Sequence, residues 1–165
     1  MIRLEPMDEA DFRAFVARAI PRRASKWVER GIWSQERSLE ASQQAYSRLL
    51  PNGKETPGNH FLKVIDASDG AAIGEVWYTN EEEGGRLQFW VEWIQIDPDR
   101  RRKGHATEVL QRLEEMASGL GATRIGLDVW TDNPGAMALY SKLGYRTARA
   151  SMMKPLPNPR PCAES

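Results

Sequence analysis

The chain has 165 residues, enough for one domain with a substantial core, and its 23 Lys+Arg balance its 23 Asp+Glu. A net charge of zero gives no bulk attraction to nucleic acid, and a single cysteine, Cys162, rules out an intramolecular disulfide framework. No apolar run approaches the roughly 18 residues of a membrane span, and the N-terminus lacks a signal-peptide core, so the default is a soluble, cytoplasmic protein with neither nucleic acid nor membrane as partner.

Ile2-Arg3-Leu4 alternates and meets Pro6, which predicts a short first strand. Asp8 caps a helix whose inner face is Phe12, Phe15, Val16, Ala19 and Ile20, and Pro21 predicts its end. Residues 22–33 carry Trp27, Val28, Ile32 and Trp33, but Gly31 interrupts them. Ser34 starts a second helix with Leu39, Tyr46, Leu49 and Leu50 inward, and Pro51-Asn52-Gly53 ends it. PNGKETPGN is loop by composition. Three strands follow, Phe61 to Asp66, Ile73 to Thr79 with Gly74 at a bulge, and Leu87 to Ile96. Their connections, Ser68-Asp69-Gly70 and an acidic turn over residues 80–85, are short, which predicts an antiparallel meander.

A helix over residues 104–118 then leads to a strand, Arg124 to Trp130. A strand–helix–strand crossover of this size makes that strand parallel to Leu87–Ile96. Asn133 caps and Pro134 opens a last helix, with Ala136, Leu139, Tyr140 and Leu143 inward and Gly144 as its stop. Tyr145 begins a final strand. PLPNPRPCAES, residues 155–165, holds four prolines and reads as a disordered tail after a single domain of residues 1–154. The fold class is α/β (α+β), a mixed and mostly antiparallel sheet with one parallel strand pair and helices on both faces.

The chain is organised around residues 93–117, WIQIDPDRRRKGHATEVLQRLEEMA. A buried strand ends at Asp97-Pro98, a basic turn follows, and Gly104-His105-Ala106 opens a helix with apolar residues at steps of three and four. The helix start offers unpaired N–H groups and the positive end of the macrodipole, and Gly104 lacks the Cβ that would keep a phosphate away. The turn is neither a Walker A loop nor a three-glycine dinucleotide turn. Arg101-x-x-Gly104-x-Ala106 resembles the pyrophosphate-binding signature Q/R-x-x-G-x-G/A of the GNAT superfamily of acyl-CoA-dependent N-acyltransferases. Residues 133–145, NPGAMALYSKLGY, resemble that superfamily's C-terminal signature, N-x-x-A-x-x-L-Y-x-x-x-G-F/Y. Loop, helix, strand and second signature stand in the superfamily's order and spacing. The resemblance covers residues 60–154, while the N-terminal helices and the loop before His60 resemble one bacterial branch. The chain departs from the pattern in its short stretch after Tyr145, which leaves the C-terminal edge of the site undefined.

The resemblance implies transfer of an acetyl group from acetyl-CoA to a primary amine of a small molecule or peptide, by direct attack in a ternary complex. It implies pyrophosphate binding by the backbone N–H groups of Arg102, Lys103, Gly104, His105, Ala106 and Thr107, with charge added by Arg101 and Lys103. The pantetheine arm falls along Ile94, Gln95 and Ile96 like an added strand, flanked by Asn133, Ala136 and Tyr140. The chemistry needs two proton transfers. An amine of pKa about 10.4 arrives protonated and needs a base. Glu92, among Phe89, Trp90, Val91 and Trp93, is the leading base, because desolvation raises a carboxyl pKa. Glu75, Asp128 and a water chain are the alternatives. Tyr140 matches the superfamily's acid position, although donation to a thiolate of pKa about 8.5 is uphill by roughly 2 kcal/mol.

Trp33, Trp77 and Trp130, with Asp128, are the expected acceptor-pocket residues and suit an organic cation. His60 and His105 read as structural or solvent-facing, and two separated histidines make no metal site, so no metal is expected. The acceptor's identity, the acyl length and the oligomeric state stay open, and a homodimer is compatible with the resemblance. The competing reading is a non-catalytic acyl-CoA-binding or regulatory module, which Glu92 and Tyr140 argue against.

Overall fold

The computed structural model describes residues 1–154 and 156. These cluster as two compact units, Met1–Trp130 and the residues from Thr131 on. The proline-rich stretch from residue 157, with Cys162, lies outside the described residues. The first unit holds β1 (Ile2–Pro6), α1 (Glu9–Glu29), α2 (Ser38–Leu49), β2 (Asn59–Asp66), β3 (Ala72–Glu83), β4 (Arg86–Ile96), α3 (His105–Gly119) and β5 (Arg124–Leu127). Its five strands form a sheet in the order β1-β2-β3-β4-β5, antiparallel except for the parallel β4–β5 pair. This is the expected mixed sheet.

α1 begins where expected, with a reciprocal cap. Asp8 Oδ1 accepts from the Asp11 N–H at 2.8 Å, and Asp11 Oδ2 accepts from the Asp8 N–H at 3.2 Å. It does not end before Pro21 but runs through it to Glu29. Phe12, Phe15 and Ala19 before the proline and Ala24 after it are all buried, so one continuous apolar face offsets the lost N–H bond. The Ser42 hydroxyl of α2 donates to the Ile20 carbonyl beside the proline at 2.8 Å. α2 itself starts later than Ser34, after Arg37, and turns Ser38, Ser42 and Tyr46 inward rather than Leu39 and Leu49, which are 48% and 45% exposed. Two buried serines let the helix axes approach closely, and a leucine there would hold them apart.

Between α1, α2 and the sheet lies an aromatic core of Phe12, Phe15, Tyr46, Phe61 and Trp77, with Phe12 and Phe61 centroids 4.7 Å apart edge-on. α3 buries Val109, Leu110, Leu113 and Ala117 and packs on β1, β4 and β5. Glu108 in its first turn accepts from the Ile2 N–H at 2.8 Å and pins the helix to the edge strand.

The acidic stretch after Thr79 is strand, not turn. β3 continues to Glu83, and the hairpin closes through Gly84-Gly85, both at positive φ. The carboxylates are tolerated there because the pairing is exposed and partnered, with Glu83 Oε2 accepting from Gln88 at 2.9 Å and from Arg124 at 3.1 Å. Two register shifts interrupt the meander. The first falls opposite Ile73, beside Gly74, as expected. A Cβ on Gly74 would overlap the Gln95 carbonyl oxygen of β4, which is backbone and cannot swing aside. Gly74→Ala should therefore lower stability by about 3 kcal/mol, the upper end for overpacking, read as a fall in the urea midpoint. A midpoint within error of wild type would mean that β3 and β4 are farther apart here than described.

The second shift decides the site. Trp77 pairs with Trp93 and Tyr78 with Val91, which leaves Glu92 as the extra residue of a β-bulge. The β4–β5 ladder runs from Gln88–Arg124 to Val91–Leu127 and stops at that point. β5 is thus shorter than the expected Arg124–Trp130, because the bulge turns β4 away from it. In the second unit α4 (Pro134–Lys142) forms as expected. The predicted strand from Tyr145 does not: residues 145–154 carry no helix or strand, and no ladder pairs them among the described residues.

Candidate active site

β4 ends at Asp97-Pro98, and a short 3-10 turn, Pro98–Arg100, leads into the basic loop. Arg100 clamps the loop to the β2–β3 turn, 2.8 Å from Asp69 and 3.6 Å from Asp66. Arg102 sits at φ +64 and Gly104, the N-cap of α3, at φ +82. Left-handed residues set among ordinary ones turn successive N–H groups toward one side, which makes an anion-binding concavity. No side chain caps the helix, and a Cβ on Gly104 would meet nothing within 4 Å. Arg102, Lys103 and Gly104 are exposed, so the loop presents charge and open backbone together. His105, expected to be structural or solvent-facing, turns inward, 8% exposed, with Nε2 3.9 Å from Asp66 Oδ2. Hydrogen bonds from Ser68, aided by the His105 and Arg100 charges, hold the Asp66 carboxyl below the usual carboxylate range.

Two expectations narrow here. Arg101 Nε donates to the Ile96 carbonyl at 2.8 Å, so this side chain ties the loop to β4 instead of simply adding charge to it. The same bond engages the Ile96 carbonyl. The Asp97 N–H donates to the Ile73 carbonyl of β3, so by strand alternation the Gln95 backbone also faces β3, and the backbone left open past Val91 is that of Ile94.

Glu92 lies at the split between β4 and β5. Crowding around the carboxyl raises its pKa, a weak hydrogen bond from Thr79 at 3.4 Å lowers it, and the Asp128 carboxylate raises it again. Its side chain keeps an exposed edge, and solvent there tempers the upward shift without reversing it. Glu75 is buried and bound to Arg18 at 2.6 Å, so its charge is already engaged. Asp128 is exposed in the segment after β5. Of the three carboxylates, Glu92 alone is both partly desolvated and weakly partnered. Close by, Tyr46 is buried in the core and its phenol is pushed up to about 12, by burial first and then by the nearby Glu75 and Glu92 charges, against the pull of Arg23.

The tryptophans divide. Trp77 is 4% exposed, packs edge-on against Phe15 at 6.3 Å and donates its indole N–H to Asn59 at 2.8 Å. It is a core residue, not a pocket wall. Trp33 and Trp130 do come together, on either side of Trp27, at centroid distances of 4.6 and 6.2 Å from it. Their faces are already used: Arg23 lies 4.6 Å from the Trp27 ring and 5.8 Å from Trp33, and Arg30 lies 4.3 Å from Trp130. Each of these rings thus already has one of the protein's own guanidinium groups within cation–π distance. The residues missed by sequence reasoning are Arg23, Tyr46, Trp27 and the side chains of Trp93 and Gln95. The Arg23–Trp27 spacing of four was a usable signal, but only for a helix read through Pro21.

In the second unit, Asn133 Oδ1 accepts from the Ala136 N–H at 3.2 Å, the N-cap expected, so these two partly satisfy each other. Burial raises the Tyr140 phenol above its ordinary value, and its ring stands 5.8 Å from that of Tyr145. Among the described residues no group of three or more His, Cys, Asp or Glu could hold a metal ion, and no helix is long and apolar enough to cross a membrane.

A five-stranded mixed sheet with one parallel pair, packed with helices, defines an α/β protein. The model of the acetyltransferase (GNAT) family matches residues 25–145. The chain belongs to that family, and is an enzyme of the acyltransferase class. It is similar to YdgE of Bacillus subtilis strain 168, an uncharacterised N-acetyltransferase, at 32% identity over 93% of this chain and 97% of that one. The crystal structure of the B. subtilis acetyltransferase YycN superposes with a TM-score of 0.87 at 28% identity, over 94% of this chain and 99% of that one. An aminoglycoside N(6')-acetyltransferase type 1 of Acinetobacter genomosp. 13 is 30% identical over 64% of this chain and 73% of its own length.

Proposed function

We propose that this acetyltransferase transfers an acetyl group from acetyl-CoA to a primary amine of a small molecule or peptide, by direct attack in a ternary complex. One observation carries the reading: at the same end of β4, a strand edge released from β5 meets an exposed left-handed turn that opens α3. Acetyl-CoA supplies the activated acyl group and a thiol leaving group. The N–H groups of Arg102 to Thr107 suit its pyrophosphate, and the open backbone of Ile94, on the same strand edge as Ile96, suits its pantetheine arm. Glu92 takes the proton of the incoming ammonium, because its raised pKa brings it nearer the operating range of a base. Tyr140 gives a proton to the departing sulfur, a role that rests on the superfamily motif. Asn133 and Ala136 flank the arm on the same ground. The acetyltransferase domain in this reading is residues 1–154, which the family match over residues 25–145 supports.

Release of free thiol from acetyl-CoA across an amine panel, with calorimetry of CoA binding in EDTA, tests this. Binding without metal and acceptor-dependent thiol release are expected. No heat at millimolar CoA would overturn the cofactor assignment. Binding without release from any amine would favour a silent acyl-CoA-binding module.

A further inference from the structure

On the face of the sheet covered by α1 and α2, three buried polar atoms have no hydrogen-bond partner: Arg23 Nε, Trp93 Nε1 and Gln95 Oε1. Buried groups of this kind are nearly always satisfied, so three on one face next to the released edge of β4 mark a place for polar partners that the chain itself does not supply. Two are donors. Arg23 is the informative one. Its guanidinium carbon lies 4.6 Å from the Trp27 ring and 5.8 Å from that of Trp33, which restricts where the group can turn, and its buried Nε–H has no acceptor. An arginine with that edge free offers two parallel N–H groups, which match the two oxygens of a carboxylate. Trp93 lies under a second guanidinium, that of Arg22, 5.3 Å from its ring. Within electrostatic reach of Arg23 stands Glu92, which our reading makes the base. The site thus has a cationic, donor-rich end and an anionic end. A polycationic amine would meet guanidinium groups where it needs ring faces.

We infer that the acceptor is a zwitterion, a small amine that also carries a carboxylate, with the amine at Glu92 and the carboxylate at Arg23. This rests on the acetyl-transfer reading and specifies its substrate class. Free amino acids fit the description. Polyamines and aminoglycosides do not.

The test compares amino acids with their carboxamides, spermidine and kanamycin, in the full-length protein with CoA present. Binding is followed by tryptophan fluorescence and turnover by thiol release. Wild type should bind the acids at least 10-fold more tightly than the amides. Arg23→Gln should raise KM for the acids by roughly 10- to 100-fold, leave kcat within a few-fold, and bring the acid-to-amide ratio near one. Arg23→Lys, which keeps charge and stem but loses the fork, should restore part of that ratio. The ratio is measured within each variant, so a general loss of folding cannot imitate the result. Equal affinity for acid and amide in wild type, preference for a polycation, failure of every acid to bind, or an Arg23→Gln loss shared by acid and amide would each overturn the inference. Thiol release as efficient with amides or polycations as with acids would do so while leaving the acetyl-transfer reading intact. Selective binding of acids without thiol release would do the reverse.

Discussion

Gly104→Asp should abolish CoA binding in a protein that still folds. At φ +82 any L-residue is strained by about 1–2 kcal/mol, and aspartate is among the residues that tolerate this region best. No protein atom lies within 4 Å of the added Cβ, so the fold loses little beyond that strain. The ligand loses more. The new carboxylate occupies the approach to the α3 N-terminus, competes for its N–H groups and repels the pyrophosphate. The expected result is a rise in Kd for CoA of at least about 100-fold, with unchanged circular dichroism. Gly104→Asn carries the same backbone strain without charge and should fall between the two. Wild-type affinity in a folded Asp variant would move the phosphate site elsewhere.

The largest kinetic effects are expected at the proton-transfer residues. A carboxyl whose pKa is raised is protonated, and useless as a base, at pH values where an ordinary one is already ionised. The acid limb of kcat/KM should therefore lie above the ordinary carboxylate range of about 4.3, with activity lost as pH falls through it. Glu92→Gln removes the base. The deficit should reach roughly 10²–10⁴ near neutral pH and shrink toward about pH 10, where free amine and hydroxide become available. A profile parallel to wild type across that range would reject Glu92 and return the role to Asp128, Glu75 or a water chain. Tyr140→Phe keeps the ring and should leave CoA affinity nearly unchanged. Burial raises the phenol further above 10, so donation to a thiolate of pKa about 8.5 is more uphill than the reference values alone imply. Its kcat loss should thus fall near the lower end of the same range. Full activity in Tyr140→Phe would mean that the thiolate departs unassisted.

The sequence by itself determined what depends on neighbours along the chain. Asp8 and Asn133 announce their caps by side-chain reach to N–H groups three residues on. Short connections set the meander, and the length of the α3 crossover set the parallel pair. The Arg101-x-x-Gly104-x-Ala106 turn and the residues 133–145 pattern are local too, which is why the family was legible before any coordinates. Tertiary structure decided whatever turned on which surface a residue meets. Pro21 reads as a stop, yet the core packed on both sides of it carries α1 through to Glu29. Leu39 and Leu49 outrank Ser38 and Ser42 in hydropathy, yet closeness to α1 favours the smaller side chains. Trp77 and Trp33 have the same side chain, and only the sheet puts one in the core and the other beside Arg23. Nothing local marks Glu92 as the extra residue of a bulge, because a bulge is a mismatch of count between two strands. That mismatch parts β4 from β5 and places the carboxylate at the opening, so the feature on which the proposed chemistry turns exists only once the strands have paired.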